Sequence, residues 1–514
     1  MTDGPKLRHG RRRLALLAGG LILGALGALG LAPLYLWPAT VIMLLGVAFA
    51  FDRCRTAGQA ALFGLALGGG WFGIGLSWIV EPFFVDAALT GWLAPFGIFF
   101  MAGGMALFWA AAFWIAFRMG RTLNARIWAL CLTWTLTGLA RGYILTGFPW
   151  AGPSQIWVDS APALLLAWIG PYGLTLATFA AVLPLGVFLL GLLQRRPDLK
   201  MALPACAGAA AVAAAVLTAP EVTMTGQTVR VVQPNAQQDL KWDPLFRDIF
   251  FDRQIDFTAA EGETGRPDLI VWPETALLAL LDRAQSDLAR MAGAAAGVPL
   301  AFGAVRDQFA EDGVRYYNTL AVMDDAGDVT ELYDKHHLVP FGEYLPFRGL
   351  MSRIGLRGLA ENMGSGYSSG PGPALIDLGP AGQAVPLICY EAVFPQDVGG
   401  APGRADLLLQ VTNDAWFGSR SGPYQHLAQA RMRAVEQGLP MVRAANTGVS
   451  AMIDPLGRIL AQIPLNEAGF FDAALPAPLP PTLYARSGDW PVFLGALGLV
   501  LMWMMRILGR KRRT

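Results

Sequence analysis

Long apolar stretches, one after another, exclude an ordinary soluble fold for the first 219 residues. A helix that crosses a bilayer needs about 20 mostly apolar residues. Stretches of that kind run near 14–34, 38–51, 58–80, 91–117, 127–141, 162–194 and 201–219, with an eighth at 490–508. The second and fifth are short, and 162–194 is long enough to tilt or to kink at Pro171. The first begins like a secretory signal, with KLRHGRRR ahead of its apolar run. More apolar stretches follow at once, so we read it as a retained anchor.

A mean hydropathy of +0.43 agrees with a membrane protein, but the formal net charge of +1 conceals a segregation. Residues 220–489 hold 20 Lys+Arg against 32 Asp+Glu, whereas the remainder holds 19 basic and 6 acidic residues. We therefore expect a seven-span bundle over 1–219, an acidic domain over 220–488, and a C-terminal span with a basic tail over 489–514. Basic residues cluster in alternate loops: Lys6 to Arg13, Arg53 and Arg55, Arg118 to Arg126, Arg195 to Lys200, and Arg506 to Arg513. The positive-inside rule then places both termini in the cytoplasm and the acidic domain outside it. An acidic outer domain argues against nucleic acid as a partner.

Of the four cysteines, Cys54 falls at a cytoplasmic turn and Cys131 and Cys206 within spans, so Cys389 has no disulfide partner in the acidic domain. Taken alone, it reads as a buried core thiol. Its surroundings change that. The domain alternates strand-like runs at 229–236, 267–275, 298–305, 317–324, 384–392 and 406–414 with helical stretches at 244–262, 276–296 and 422–438. Continuous apolar strands with helices between them predict an α/β layered domain. In such domains functional groups collect beyond the strand ends. Here those ends deliver Glu274, Cys389 with Glu391, and Asn413 with Asp414, and the loop YDKHHLVPFGEYLP (333–346) adds Lys335 and Glu343.

VWPET around Glu274, DKHHLVPFGEYLP around Lys335 and LICYEAVFP around Cys389 resemble the Glu-Lys-Cys set of the nitrilase, or carbon–nitrogen hydrolase, superfamily. That resemblance implies an α-β-β-α sandwich, here inserted into the multi-pass helical membrane bundle of about eight spans read from the apolar stretches. The placement of the domain, with TGFPWAGPSQ (146–155) and LKWDP (240–244), is similar to the apolipoprotein N-acyltransferase family of bacterial envelopes. Membership implies a bacterial inner-membrane protein with a periplasmic catalytic domain. Its acyl donor is then a phospholipid and its acceptor the α-amine of a diacylglyceryl-cysteine on an apolipoprotein.

The residue types suit that chemistry. A thiol is mostly protonated at neutral pH, and the thiolate is the nucleophile. Glu274 can take the proton of Cys389, and Lys335 can stabilise both the thiolate and an oxyanion. The amide of Tyr390 is a further oxyanion donor. Glu343 is expected to position Lys335, Tyr390 and Glu391 to shape the pocket, and Trp242 to line a substrate groove. Loop charges or packing residues are the bland alternatives for each. His336 and His337 lack a third ligand of workable spacing, since the remaining histidine of the domain is His426. Neither metal nor cofactor is expected. The Gly- and Ser-rich stretch 355–372 reads as a mobile apolar lid. Two other classes stay open: a membrane-tethered amidase using the same triad on a soluble amide, and a channel or scaffold. Few intramembrane charges speak for the latter.

Overall fold

The computed structural model describes residues 5–262, 265–311, 313–346 and 366–511. The chain divides into two compact units. One comprises Met1–Ala219, Arg420–Ala428 and Arg486–Thr514, and the other Pro220–Ser419 and Gln429–Ala485.

In the first unit, helices α1 (Pro5–Ala28), α2 (Trp37–Arg53), α3 (Ala57–Gly75), α4 (Ala94–Met119), α5 (Leu123–Tyr143), α6 (Leu166–Leu193) and α7 (Leu203–Leu217) follow the seven apolar stretches. Four helical segments among the described residues are long and apolar enough to cross a membrane: Ala57–Gly75, Ala87–Met119, Ala161–Leu193 and Leu199–Leu217. Trp490–Arg506 is a shorter apolar helix. The interior is aromatic: Trp134 stacks on Phe179 at 4.4 Å and meets Trp109 edge-on at 4.6 Å. Leu14, Ile22, Phe99 and Phe100 stand outward and exposed, an inversion that suits a lipid surroundings rather than water. Helix α6 breaks at Gly170 (φ 62°, ψ −173°), directly before Pro171. Proline disfavours helical geometry in the residue ahead of it, and glycine accepts the positive φ taken here instead. Trp150, from TGFPWAGPSQ, is fully buried in this unit, stacked on His426 and donating its indole N–H to Gln425 Oε1 at 2.7 Å.

The second unit holds two six-stranded sheets. The first contains β1 (Met224–Gln233), β2 (Leu269–Val271), β3 (Leu300–Ala310), β4 (Gly313–Met323), β5 (Val329–Asp334) and β12 (Gly469–Pro476), in the order β12-β1-β2-β3-β4-β5. The second contains β6 (Ile376–Asp377), β7 (Gln383–Ile388), β8 (Leu407–Thr412), β9 (Met441–Ala445), β10 (Ser450–Ile453) and β11 (Ile459–Ile463), in the order β11-β10-β9-β8-β7-β6. Each sheet is built on a parallel trio, β1-β2-β3 in one and β7-β8-β9 in the other, with antiparallel strands outside it. The crossovers within the trios include helices α8 (Arg247–Ala259), α9 (Gln285–Ala295) and α10 (Gly422–Gln437), the last belonging to this unit from Gln429 on.

Between β1, β2, β3 and their two helices lies a core of Val232, Phe251, Ile270, Trp272, Met291 and Phe302. Full burial of such side chains contributes about 1.5–3 kcal/mol each. The indole N–H of Trp272 is not left unpaired, since it donates to Thr258 Oγ at 2.8 Å. The sheets meet face to face. Gln233 on β1 accepts from both the amide and the hydroxyl of Ser450 on β10, at 3.0 and 2.6 Å.

Several elements differ from the expectation drawn from sequence. The run 384–392 is a strand only to Ile388 and then tightens into a 3₁₀ turn, Cys389–Val393. The expected helix over 276–296 begins at Gln285, after an irregular stretch that lines a pocket described below. Of the glycine-rich segment 355–372, residues 355–365 lie outside the described residues.

Candidate active site

Four loops leaving strand ends converge in the second unit. Glu274 follows β2, Lys335 follows β5, Cys389 follows β7 and Asn413 follows β8. Two of the turns are conformationally unusual. Cys389 has φ 51° and Thr275, next to Glu274, has φ 48°. Left-handed backbone at a residue with a Cβ costs free energy and tends to mark functional sites. On the β3 side the room for the Glu274 turn comes from Gly303, where an added Cβ would lie 2.5 Å from the Thr275 nitrogen and 2.6 Å from the Glu274 Cα.

Glu274 is almost fully buried. Its Oε1 accepts from Asn318 Nδ2 at 2.7 Å, and its Oε2 accepts from the backbone amide of Asn413 at 2.7 Å. Lys335 Nζ lies 3.9 Å from Glu274 Oε1 and donates to Glu343 Oε1 at 2.8 Å. The other Glu343 oxygen accepts from the Val339 amide at 2.8 Å, which closes the loop after Lys335. Burial pushes the Glu274 carboxyl above the ordinary range, against the opposing pull of Lys335. For Lys335, burial alone would lower the pKa, but the charges of Glu343, Glu274 and Cys389 outweigh it and raise it. Burial, followed by the charge of Glu274, drives the Cys389 thiol well above its usual value, with Lys335 acting the other way. The resting thiol is therefore protonated, and it becomes nucleophilic only by passing its proton to a nearby base.

Glu391 is completely buried and acts as a hub. One oxygen accepts from Tyr333 OH at 2.9 Å and from the amides of His336 and His337 at 2.8 and 3.2 Å. The other accepts from the Ile388 amide at 2.7 Å. It thereby ties the Lys335 loop to the Cys389 turn. The Tyr390 ring packs edge-on against Phe394 and His337. Behind the turn, Gln410 donates to the Cys389 carbonyl at 3.2 Å and is itself held by Arg443 at 2.5 Å.

Trp242 is half-exposed and borders a cavity of about 200 Å³, lined also by Leu277, Leu280, Val305, Tyr316 and Tyr367. The Tyr367 amide donates to the Glu343 carbonyl at 2.9 Å, so the cavity adjoins the Glu343 loop.

Three participants escaped the sequence reading. Asn318 bridges Glu274 and Glu343, at 2.7 and 3.3 Å. Lys241, inside the quoted LKWDP, is buried and donates to Thr275 Oγ at 2.7 Å and to the Glu274 carbonyl at 3.3 Å. Burial pulls its pKa down to about 8, with Glu274 opposing. Asp397 joins His336 and His337 in a cluster whose donor atoms lie within 4.8 Å of one another. Asn318 and Asp397 stand outside the quoted motifs, and Lys241 stands inside one whose tryptophan alone drew notice.

A model of the carbon-nitrogen hydrolase family matches residues 192–479, and one of the apolipoprotein N-acyltransferase N-terminal domain matches residues 23–183. The chain is 38% identical over 515 residues to an apolipoprotein N-acyltransferase of Rhodopseudomonas palustris, covering 96% of this chain and 94% of that protein. It is 39% identical over 512 residues to that of Bradyrhizobium diazoefficiens, covering 95% and 94%. Among solved structures, an amidase from Nesterenkonia sp. aligns with 54% of this chain and 98% of its own, at 20% identity and a TM-score of 0.36.

Proposed function

The chain belongs to the apolipoprotein N-acyltransferase family, and from that membership we propose that it moves an acyl chain from a phospholipid to the N-terminal amine of a diacylglyceryl-cysteinyl lipoprotein. The observation that carries the reading is the buried pairing of Glu274 and Lys335, with Asn318, Asn413 and Glu343 fixing them, in electrostatic reach of the Cys389 thiol.

In the first half-reaction Cys389 gives its proton to Glu274, and the sulfur attacks the ester carbonyl of the phospholipid. Lys335 and the Tyr390 amide hold the oxyanion, each such donor being worth about 2.7–4 kcal/mol of barrier. The C–O bond breaks, Glu274 returns the proton to the departing lysophospholipid oxygen, and a thioester remains. In the second half-reaction the lipoprotein amine attacks the thioester and passes a proton to Glu274. The C–S bond breaks, the sulfur recovers a proton, and the amide leaves. Glu343 positions Lys335, Glu391 positions the nucleophile turn, and the cavity beside Trp242 receives part of an acyl chain.

Both substrates live in a bilayer, so the helical unit is read as the scaffold that brings them to the site. We place eight spans in the membrane, with the residues 220–488 outside the cytoplasm and both termini inside. Exposed apolar side chains on α1 and α4 support a lipid environment for these helices.

Intact-mass analysis of the protein incubated with phospholipid tests the reaction. One added acyl mass in the wild type, absent in Cys389→Ser and discharged by a diacylglyceryl-cysteinyl peptide, is the expected result. Discharge to water alone would make the protein a tethered hydrolase instead.

A further inference from the structure

We propose that His336, His337 and Asp397 form a three-ligand site for a divalent cation of the zinc class, set between the Lys335 loop and the Cys389 turn. This goes beyond acyl transfer and does not depend on it.

The case begins with His336. Its Nδ1 lies 2.7 Å from Glu391 Oε1, an ionisable oxygen with no exposure to solvent. A carboxylate there accepts, so we assign the ring proton to Nδ1, which leaves the lone pair on Nε2. That Nε2 is buried, has no hydrogen-bond partner among the described residues, and faces Asp397 Oδ2 at 3.7 Å. A lone pair facing a carboxylate oxygen is repulsive unless a positive charge lies between them. The outer arrangement fits a metal: ligating histidines characteristically donate their other ring N–H to a carboxylate, which fixes the ring and raises its basicity.

The remaining ligands are already gathered. His337 Nδ1 is hydrogen-bonded to the same Asp397 oxygen at 2.6 Å, a proton that an incoming cation would displace, and its ring is clamped by stacking on Phe394 at 3.7 Å. Zinc bonds of 2.0–2.1 Å in a tetrahedron put donors roughly 3.4 Å apart. Donors within 4.8 Å of one another reach that spacing with shifts of about an ångström. Two imidazoles and one carboxylate select zinc, copper(II) or nickel over magnesium or calcium, which take oxygen ligands. The three side chains keep 13–16% of their surface exposed, which leaves a path and a fourth position for water. A bound ion would cross-link the residues that follow Lys335 to the segment that follows Cys389.

A protonated His336 is the rival account of the same cluster, and metal titration separates the two. We would use the untagged full-length protein in detergent, with Cys389→Ser to remove that thiol as a ligand, after chelator treatment. Calorimetry with zinc should show one equivalent bound, and cobalt(II) should give the visible spectrum of a four-coordinate nitrogen–oxygen site. His336→Gln and Asp397→Asn should each weaken binding by more than the roughly 10–100-fold that loss of an outer partner costs. Absence of that cobalt spectrum overturns the proposal whether or not the variants fold. Zinc affinity unchanged in both variants, with unfolding temperatures showing them folded, also overturns it, since the ion would then sit elsewhere.

Discussion

The carboxylate of Glu274, at the end of a strand in one sheet, accepts a 2.7 Å hydrogen bond from the backbone amide of Asn413, at the end of a strand in the other. Its second oxygen is held by Asn318 at the same distance. A base fixed at both oxygens cannot rotate away from the thiol. Because a hydrogen bond to a charged group is worth about 1.5–3 kcal/mol, Asn318→Ala should slow thioester formation roughly 10- to 100-fold. Asn413→Ala keeps its amide and should lose less. Comparing the two acylation rates by mass spectrometry checks this, and equal losses would contradict it.

Lys241 gives the site a pH signature. Its buried ammonium lowers the Glu274 pKa, so Lys241→Met should move the acidic limb of the acylation rate toward higher pH. Stability should change as well. The folded pKa of Lys241 is about 8 against an ordinary 10.5, so between those values the unfolded chain holds the proton and the folded chain does not. Stability linked to this group therefore rises with pH across that window, by at most roughly 3 kcal/mol. Unfolding midpoints from pH 8 to 10 in wild type and Lys241→Met should diverge accordingly.

In the proposed mechanism Glu391 positions the nucleophile turn and leaves substrate contact to other groups. In Glu391→Gln one oxygen becomes an NH2 donor, so the side chain no longer accepts from both the Ile388 amide and the Lys335 loop. A displacement of about 1 Å at a reacting atom can cost roughly 100-fold. We expect acylation to fall by that order while phospholipid KM stays near wild type. A KM increase with unchanged kcat would assign Glu391 to binding instead.

The cavity beside Trp242 should read chain length. Val305→Trp fills it from β3. Acylation from long-chain phospholipid should slow about 10-fold or more, one methylene of lost burial being worth about 0.8 kcal/mol. Short-chain donors should be spared. Equal slowing for all chain lengths would place the acyl chain elsewhere.

Glu274, Lys335 and Cys389 stood out as candidates because each sits in a local motif at a strand end. Their partners were not. Asn318 lies in the run YNTLAVMD, which announces only a strand, and its role appears when β4 pairs with β5 and turns it toward Glu274. The strands β9 and β10 were missed because MVRAANTGVSAMI carries Arg443 and Asn446 in its middle. Both are buried here. Arg443 is satisfied by Gln410, Asp414 and the Val449 carbonyl, and Asn446 by Ala236 and Asn413. Polarity in the sequence therefore hid a fully paired interior strand. Asp397 was invisible as a companion of His336 and His337 for a different reason: sixty residues of chain return to one place only after the second sheet forms.

The division of Glu274 and Lys335 from Cys389 between two sheets has a consequence in time. During synthesis the base and the cation emerge first, and the sulfur follows more than fifty residues later. On the proposed mechanism neither half of the fold is reactive by itself. A chain caught midway through folding, already surrounded by lipid esters, has no competent centre with which to damage them, and reactivity arrives only with closure of the sandwich.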